Sequence, residues 1–311
     1  MVKNILWFKE INNKNIDLVG GKGASLGEMT NSDFKVPNGF CITAQAYELF
    51  IEKTQKQIMD LLESLDVEDT AQLDKISEEI RNIILKLEFS ENLKEEITQA
   101  YEELGNSFVA IRSSATAEDL PEASFAGQQD TYLNIKGSEK VIAKTKECFA
   151  SLFTSRAIYY RERNNFEHKD VLISVVVQKM VDSESAGVCF TVNPINKDYK
   201  EMVIEGAFGL GESVVSGQLT PDTFMIQKDH FKILQKHLSA KEWGYFKDED
   251  GNTIKKDNSD PEKQSISDIL LKELTKQAIL IEKHYNKPMD IEWAIENNEL
   301  FILQARPITT L

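Results

Sequence analysis

Asp290, Glu292, Gln304 and Arg306 alternate with apolar residues in the stretch "DIEWAIENNELFILQAR". Two alternating runs joined by a polar turn predict a β-hairpin. With a three-residue loop of Asn297, Asn298 and Glu299, Glu292 pairs with Gln304 and Asp290 with Arg306. All four side chains then share one face, because strand side chains alternate with period two. Ile291, Trp293, Ile295, Phe301 and Leu303 are expected on the other, buried face. A loop one residue shorter would separate the polar pairs. A carboxylate facing an amide offers oxygen ligands suited to Mg2+, which takes few protein oxygens and completes its shell with phosphate and water. Arg306 beside them complements phosphate charge. The alternative is an ordinary solvated sheet face.

Three other stretches carry groups for an anion. In "GGKGASLGEM", Gly20, Gly21 and Gly23 allow close backbone approach, the following run can open a helix, and Lys22 adds a full positive charge. The spacing is neither a Walker A loop nor G-x-G-x-x-G, so a plain glycine turn is the competing reading. In "VAIRSSATAEDLPEASFAGQQDTYLN", Arg112 ends a strand and precedes a long loop of small and polar residues that contains Gly127 and leads to Thr131. Such loops are binding loops, lids or irregular surface segments. In "VVVQKM", Gln178 ends an apolar strand, where an amide can read an adenine edge or turn to solvent. Together these groups suit an anion and a hard cation, the parts of a Mg-nucleotide phosphoryl-transfer site.

The elements that must position them mix strands and helices without a strict βαβ rhythm, so the expected fold class is α+β. Short strands and turns are expected through residue 45, with helical periodicity over about 45–104. A long helix is expected over about 138–165, a buried strand over 170–181, a meander over 223–257 and a last helix over about 265–286.

The chain has 311 residues, with 51 acidic against 36 basic and a net charge of −15, which argues against nucleic acid or an anionic membrane as the main partner. Cys41, Cys148 and Cys189 are sparse and widely spaced, which fits buried thiols in a reducing compartment. No stretch approaches the roughly 20 apolar residues of a membrane helix, and "MVKNILWFKEINNK" lacks a signal-peptide core. A cytoplasmic location is expected.

The motifs "LVGGKGASLGEM", "VPNGF", "VAIRSSATAEDLPEASFAGQQDTYLN", "GVCFTVNP", "EGAFGLGESVVSGQLTPD" and "DIEWAIENNELFILQARPIT" follow one another along almost the whole chain. In that order they resemble the N-terminal nucleotide-binding domain of the phosphoenolpyruvate synthase and pyruvate phosphate dikinase family, shared with rifamycin phosphotransferases. The resemblance implies an ATP-grasp fold whose two lobes, 1–200 and 201–311, clasp Mg-ATP. It further implies that Lys22 and Arg112 contact phosphates, that Gly127 and Thr131 lie in the loop over them, and that Gln178 sits near the adenine. Glu292 and Gln304 would ligate Mg2+, Arg306 would neutralise transferring charge, and Asp290 and Glu205 are secondary candidates for metal or ribose contacts.

In that family the ATP β-phosphate passes to a histidine on a separate swivelling domain, and from there to pyruvate or a rifamycin at a third site. The four histidines here, His168, His230, His237 and His284, do not lie in the family's serine-histidine-alanine setting, and no pyruvate-binding barrel is expected within these 311 residues. The expected partners are therefore ATP, a phospho-histidine domain and a pyruvate-binding domain, on the same longer chain or on other chains. The competing functions are rifamycin phosphotransfer, a non-catalytic nucleotide sensor, and an ATP-grasp ligase that would release ADP.

Overall fold

The computed structural model describes residues 3–116 and 131–309, and it divides into two compact units. The first comprises the chain up to Glu28 and Asn38–Met180, and the second Met29–Pro37 together with the chain from Val181 on. The sequence reading placed the lobe boundary at 200/201. The units part at 180/181 because Ser185–Phe190 already hydrogen-bonds into the second unit's sheet.

In the first unit, β1 (Ile5–Trp7) precedes α1 (Ile16–Asn31), whose last residues belong to the second unit. Then come β2 (Gly39–Ile42) and the helices α2 (Ala44–Ile51), α3 (Gln55–Glu63), α4 (Thr70–Lys86) and α5 (Glu91–Glu103). β3 (Val109–Ala115), β4 (Thr131–Ile135), α6 (Ser138–Ser151), α7 (Ser155–Arg163) and β5 (Ile173–Lys179) complete it. The five strands run β1-β2-β5-β3-β4, and every pairing is antiparallel. One face of this sheet, with Phe40, Ile42, Val109, Ile111, Ile173, Val175 and Val177, joins a single apolar core with α2 to α6. The single helix expected over 138–165 is two helices. Thr154 interrupts it in an extended conformation and caps α7, its side chain accepting from Ala157 N.

Arg161 of α7 is fully buried, with no carboxylate paired to it among the described residues. Its Nε donates to His168 Nδ1 at 2.8 Å, its Nη1 donates to the Leu152 carbonyl at 2.7 Å, and its plane lies 5.4 Å from the Phe153 ring centre. Burial lowers the Arg161 pKa to about 10. His168 must accept at Nδ1, so its proton sits on Nε2, 2.7 Å from Glu162 Oε1. Burial first, and the Arg161 charge second, hold the His168 pKa below the usual imidazole value. A depressed pKa means the folded state resists protonation. Stability is therefore full above about pH 6.5, the unfolded value, and declines as pH falls from there toward the folded pKa. His168→Gln, which keeps an acceptor and cannot titrate, is expected to flatten this limb in melting curves taken between pH 8 and 5; an unchanged slope contradicts the assignment.

In the second unit, β6 (Ser185–Phe190) and β7 (Glu201–Phe208) are followed by α8 (Glu212–Val215), β8 (Asp222–Gln227) and β9 (Lys232–His237). A separate ribbon, β10 (Trp243–Lys247) with β11 (Thr253–Asp257), precedes α9 (Asp268–Tyr285), β12 (Met289–Glu296) and β13 (Glu299–Pro307). The large sheet runs β13-β12-β6-β7-β8-β9 and is antiparallel throughout. The expected meander is thus split: β8 and β9 belong to the large sheet and β10 and β11 do not. All three cysteines are free and buried, and no helix among the described residues is long and apolar enough to cross a membrane.

Candidate functional site

The β12–β13 hairpin pairs Asp290 with Arg306 and Glu292 with Gln304, as expected, but by a different route. The turn has only two residues, Asn297 and Asn298, both left-handed at φ 51° and 60°, and Glu296 pairs with Glu299. Asn tolerates this conformation, which two-residue hairpin turns of the primed type require. Taken alone, the shorter loop would split the polar pairs. A β-bulge between Glu292 and Trp293, with Leu303 as the extra residue on β13, restores the register before Gln304.

The bulge also corrects the expected buried face. Phe301 pairs with Ala294, and Phe301 and Leu303 pack with Val181, Ala186 and Ala294, so both turn to the Glu292 side. The buried face carries Leu300, Ile302 and Ala305 opposite Ile295, Trp293 and Ile291. α9 packs against these two strands.

Asp290 and Arg306 form an ion pair in which Nε and Nη2 reach the same oxygen, Oδ2, at 2.9 and 2.8 Å. The other oxygen, Oδ1, is buried without a hydrogen-bond partner. Desolvation raises the Asp290 pKa despite the guanidinium, which pulls the other way, and the neighbouring Glu292 adds to the rise. Burial therefore outweighs the pair, and the free oxygen is an acceptor ready for a cation or a donor. Gln304 is buried and Glu292 half-buried.

Strand register carries this polar row across the sheet. Glu292 pairs with Val188, Val188 with Glu205, and Glu205 with Thr223. With strands ~4.8 Å apart, Glu205 stands about 10 Å from Glu292 on the same face. Among the described residues no side-chain partner holds Glu205, and burial raises its pKa. Val188, Ala207, Val214 and Leu219, with Phe190 and Trp243 against them, supply the apolar surroundings. Among the described residues no three His, Cys, Asp or Glu side chains gather to hold a metal. Glu292 with Gln304, and the open Asp290 oxygen beside them, fit a hard cation that draws its remaining ligands from phosphate and water.

In the first unit, Arg112 on β3 is directly opposite Thr131, the exposed first residue of β4. Gln178 on β5 pairs with Ala110 and Gly39, which places it on the same sheet face as Arg112, away from the helical core. It does not turn to solvent. Gln178 is 3% exposed, and its Nε2 is buried without a hydrogen-bond partner among the described residues. α1 lies on this same face, since a side chain at Gly23 would meet Cys41 Sγ and one at Gly20 would overlap Ser114. Lys22, half-buried, lies on α1 between these two contacts. Gly127 lies outside the described residues. The sequence reading missed Ser114 and Ser174, which face each other across β3 and β5 beneath α1.

The match to known proteins is extensive. The family model described as "Pyruvate phosphate dikinase, AMP/ATP-binding domain" matches residues 16–311. The chain belongs to this family. It is 52% identical to a probable phosphoenolpyruvate synthase of Methanocaldococcus jannaschii, covering all of this chain and 27% of that protein. It is 43% identical to the phosphoenolpyruvate synthase of Pyrococcus furiosus, covering 99% of this chain and 44% of the relative. A rifampicin phosphotransferase of Bacillus subtilis is 41% identical over 99% of this chain and 36% of its own length. The chain thus spans well under half of each of these three relatives. Among solved structures, a D-alanine–D-alanine ligase from Bacillus anthracis aligns at 10% identity over 70% of this chain and 55% of its own, with a TM-score of 0.27, too low to carry an argument.

Proposed function

We propose that this chain is the Mg-ATP-binding part of a phosphotransferase of the phosphoenolpyruvate synthase type, with an ATP-grasp fold whose two lobes each contribute groups to the nucleotide. Lys22, Arg112, Gly127 and Thr131 serve the phosphates, and Gln178 serves the adenine. Glu292 and Gln304 hold Mg2+, and Arg306 balances charge on the phosphoryl group in flight. The observation that carries this reading is the β12–β13 register, which sets a carboxylate–amide pair beside a carboxylate–guanidinium pair. The buried, unpartnered Gln178 Nε2 supports the adenine assignment independently.

When bound, Mg2+ would supply charge neutralisation on the phosphate oxygens. The chain's own residues do the rest. Lys22 and Arg112 fix the triphosphate in line with its acceptor, and Arg306, steered by Asp290, spares the leaving phosphate a build-up of negative charge. The β-phosphate passes to a histidine on a swivelling domain with AMP as the leaving group, and then to pyruvate, while water takes up the γ-phosphate, so the complete cycle releases AMP and phosphate. Rifampicin is the second candidate acceptor, on the strength of the Bacillus subtilis relative.

None of His168, His230, His237 and His284 stands in the setting expected of that carrier. The purified chain is therefore expected to bind ATP and turn it over very slowly. Nucleotide products separated by chromatography test this. Rapid AMP formation by the chain alone contradicts the need for a separate histidine, and ADP as the product favours the ligase class.

A further inference from the structure

α1 is broken inside, at Gly20. Gly20 sits at φ 65° and ψ 176°, far from helical values. In an unbroken helix the Val19 carbonyl would accept from the amide of residue 23. At the break it turns into the sheet instead, and a buried carbonyl there needs a donor. Two hydroxyls supply it: Ser174 Oγ at 2.5 Å and Ser114 Oγ at 3.0 Å. These serines are cross-strand partners on β5 and β3, both with no exposed surface. Ser174 Oγ also lies 3.1 Å from the Ser114 carbonyl, so the pair is tied to itself as well as to α1. A side chain at Gly20 would overlap Ser114 Oγ and the Ser114 carbonyl, and the positive φ disfavours one in any case. Gly20 thus permits the bend and the serines fix where it points.

Lys22 lies two residues past this bend, and Arg112 two residues before Ser114 on the same face of β3. A core made only for stability would fill this interface with apolar side chains. Here two buried hydroxyls spend their hydrogen bonds on one carbonyl, which sets the start of the second half of α1 relative to β3.

We propose that Ser114 and Ser174 form a hydroxyl clamp that positions Lys22 against Arg112 for a shared anion, the polyphosphate of a nucleotide. This rests on the nucleotide reading above. Both serines are positioning residues, because they act through the α1 backbone and touch no ligand themselves.

A double-mutant cycle separates positioning from general stability. ATP affinity is measured by calorimetry, with ATP carried to millimolar concentration, for the parent chain, Ser114→Ala, Ser174→Ala, their combination, and each in a Lys22→Ala background, with a melting curve for every variant. The combined serine variant is expected to bind ATP about tenfold more weakly, the scale of one to two ordinary hydrogen bonds. In the Lys22→Ala background the same change is expected to cost less than about twofold, since the residue being positioned is already gone. Equal losses in both backgrounds, or no loss in either, overturn the clamp. If Lys22→Ala alone abolishes binding, acylation of Lys22 in Ser174→Ala gives the second readout. Loss of ATP protection at Lys22 while ATP still binds supports the clamp, and full protection overturns it. A parent chain that binds no ATP removes the nucleotide reading and the clamp with it. A parent that binds, is weakened by Lys22→Ala, and shows additive serine effects removes the clamp alone.

Discussion

Replacing Lys241 with methionine is expected to destabilise the chain by about 3–5 kcal/mol, the usual penalty for breaking a buried ion pair from one side. Lys241 and Asp222 are both fully buried, with Nζ 2.6 Å from Oδ1. Nζ also donates to the Ser239 carbonyl at 2.8 Å. Asp222 accepts further from Ser239 N at 3.0 Å and Ser265 N at 2.8 Å, so one carboxylate ties two segments, 239–241 and Ser265, to the start of β8. Without the ammonium, a buried negative charge keeps only two backbone donors. Lys241→Met with Asp222→Asn removes that charge and keeps an acceptor, so the double variant is expected to recover part of the loss. Denaturant unfolding of the parent and the two variants checks this. A Lys241→Met loss below about 1 kcal/mol, the range of exposed pairs, would contradict it. The network bears on the site, because Asp222 pairs with Gly206 in the register that brings Glu205 to Thr223.

The second large effect is on ligand binding. Glu292→Ala removes the charged member of the Glu292–Gln304 pair. It is expected to abolish most of the gain in ATP affinity that Mg2+ provides, at least tenfold, the scale seen when a metal site loses supporting groups. Its melting temperature should stay near the parent's, since Glu292 is only half-buried. Glu292→Gln keeps the shape and loses the charge. It should fall between the two, because neutral oxygen still coordinates Mg2+ while attracting it less.

How much of this was legible in the sequence depends on the signal behind each residue. The Asp290–Arg306 and Glu292–Gln304 pairs could be read from alternation alone, because a buried face forces register. The means by which that register is kept could not be read. A two-residue Asn-Asn turn with a bulge and a three-residue loop give the same pairing at Gln304, and they differ only in which way Phe301 and Leu303 face. Those two residues were accordingly assigned to the wrong side. Gln178 showed only as a polar residue at the end of an apolar run. Its burial depends on neighbours at Gly39 and Ala110 that are distant in sequence. The parting of the two units at 180/181 has the same origin: strand membership is decided by partners about a hundred residues away. Ser114 and Ser174 went unremarked because small hydroxyl residues in strands look like ordinary strand residues. The one hint was the strained geometry that a Gly-Gly step before Lys22 allows. The family resemblance needed no such pairing, since its motifs are contiguous in the chain.

The most direct test of the central claim is calorimetric titration of the native chain with ATP, with and without Mg2+, beside Glu292→Ala and Lys22→Ala. The native chain is expected to bind ATP, and Mg2+ to tighten binding. Glu292→Ala should lose the Mg2+-dependent part, and Lys22→Ala should weaken binding in both conditions. Native binding that is indifferent to Mg2+ and unchanged in both variants would contradict it, and would return the β12–β13 polar face to an ordinary solvated sheet surface.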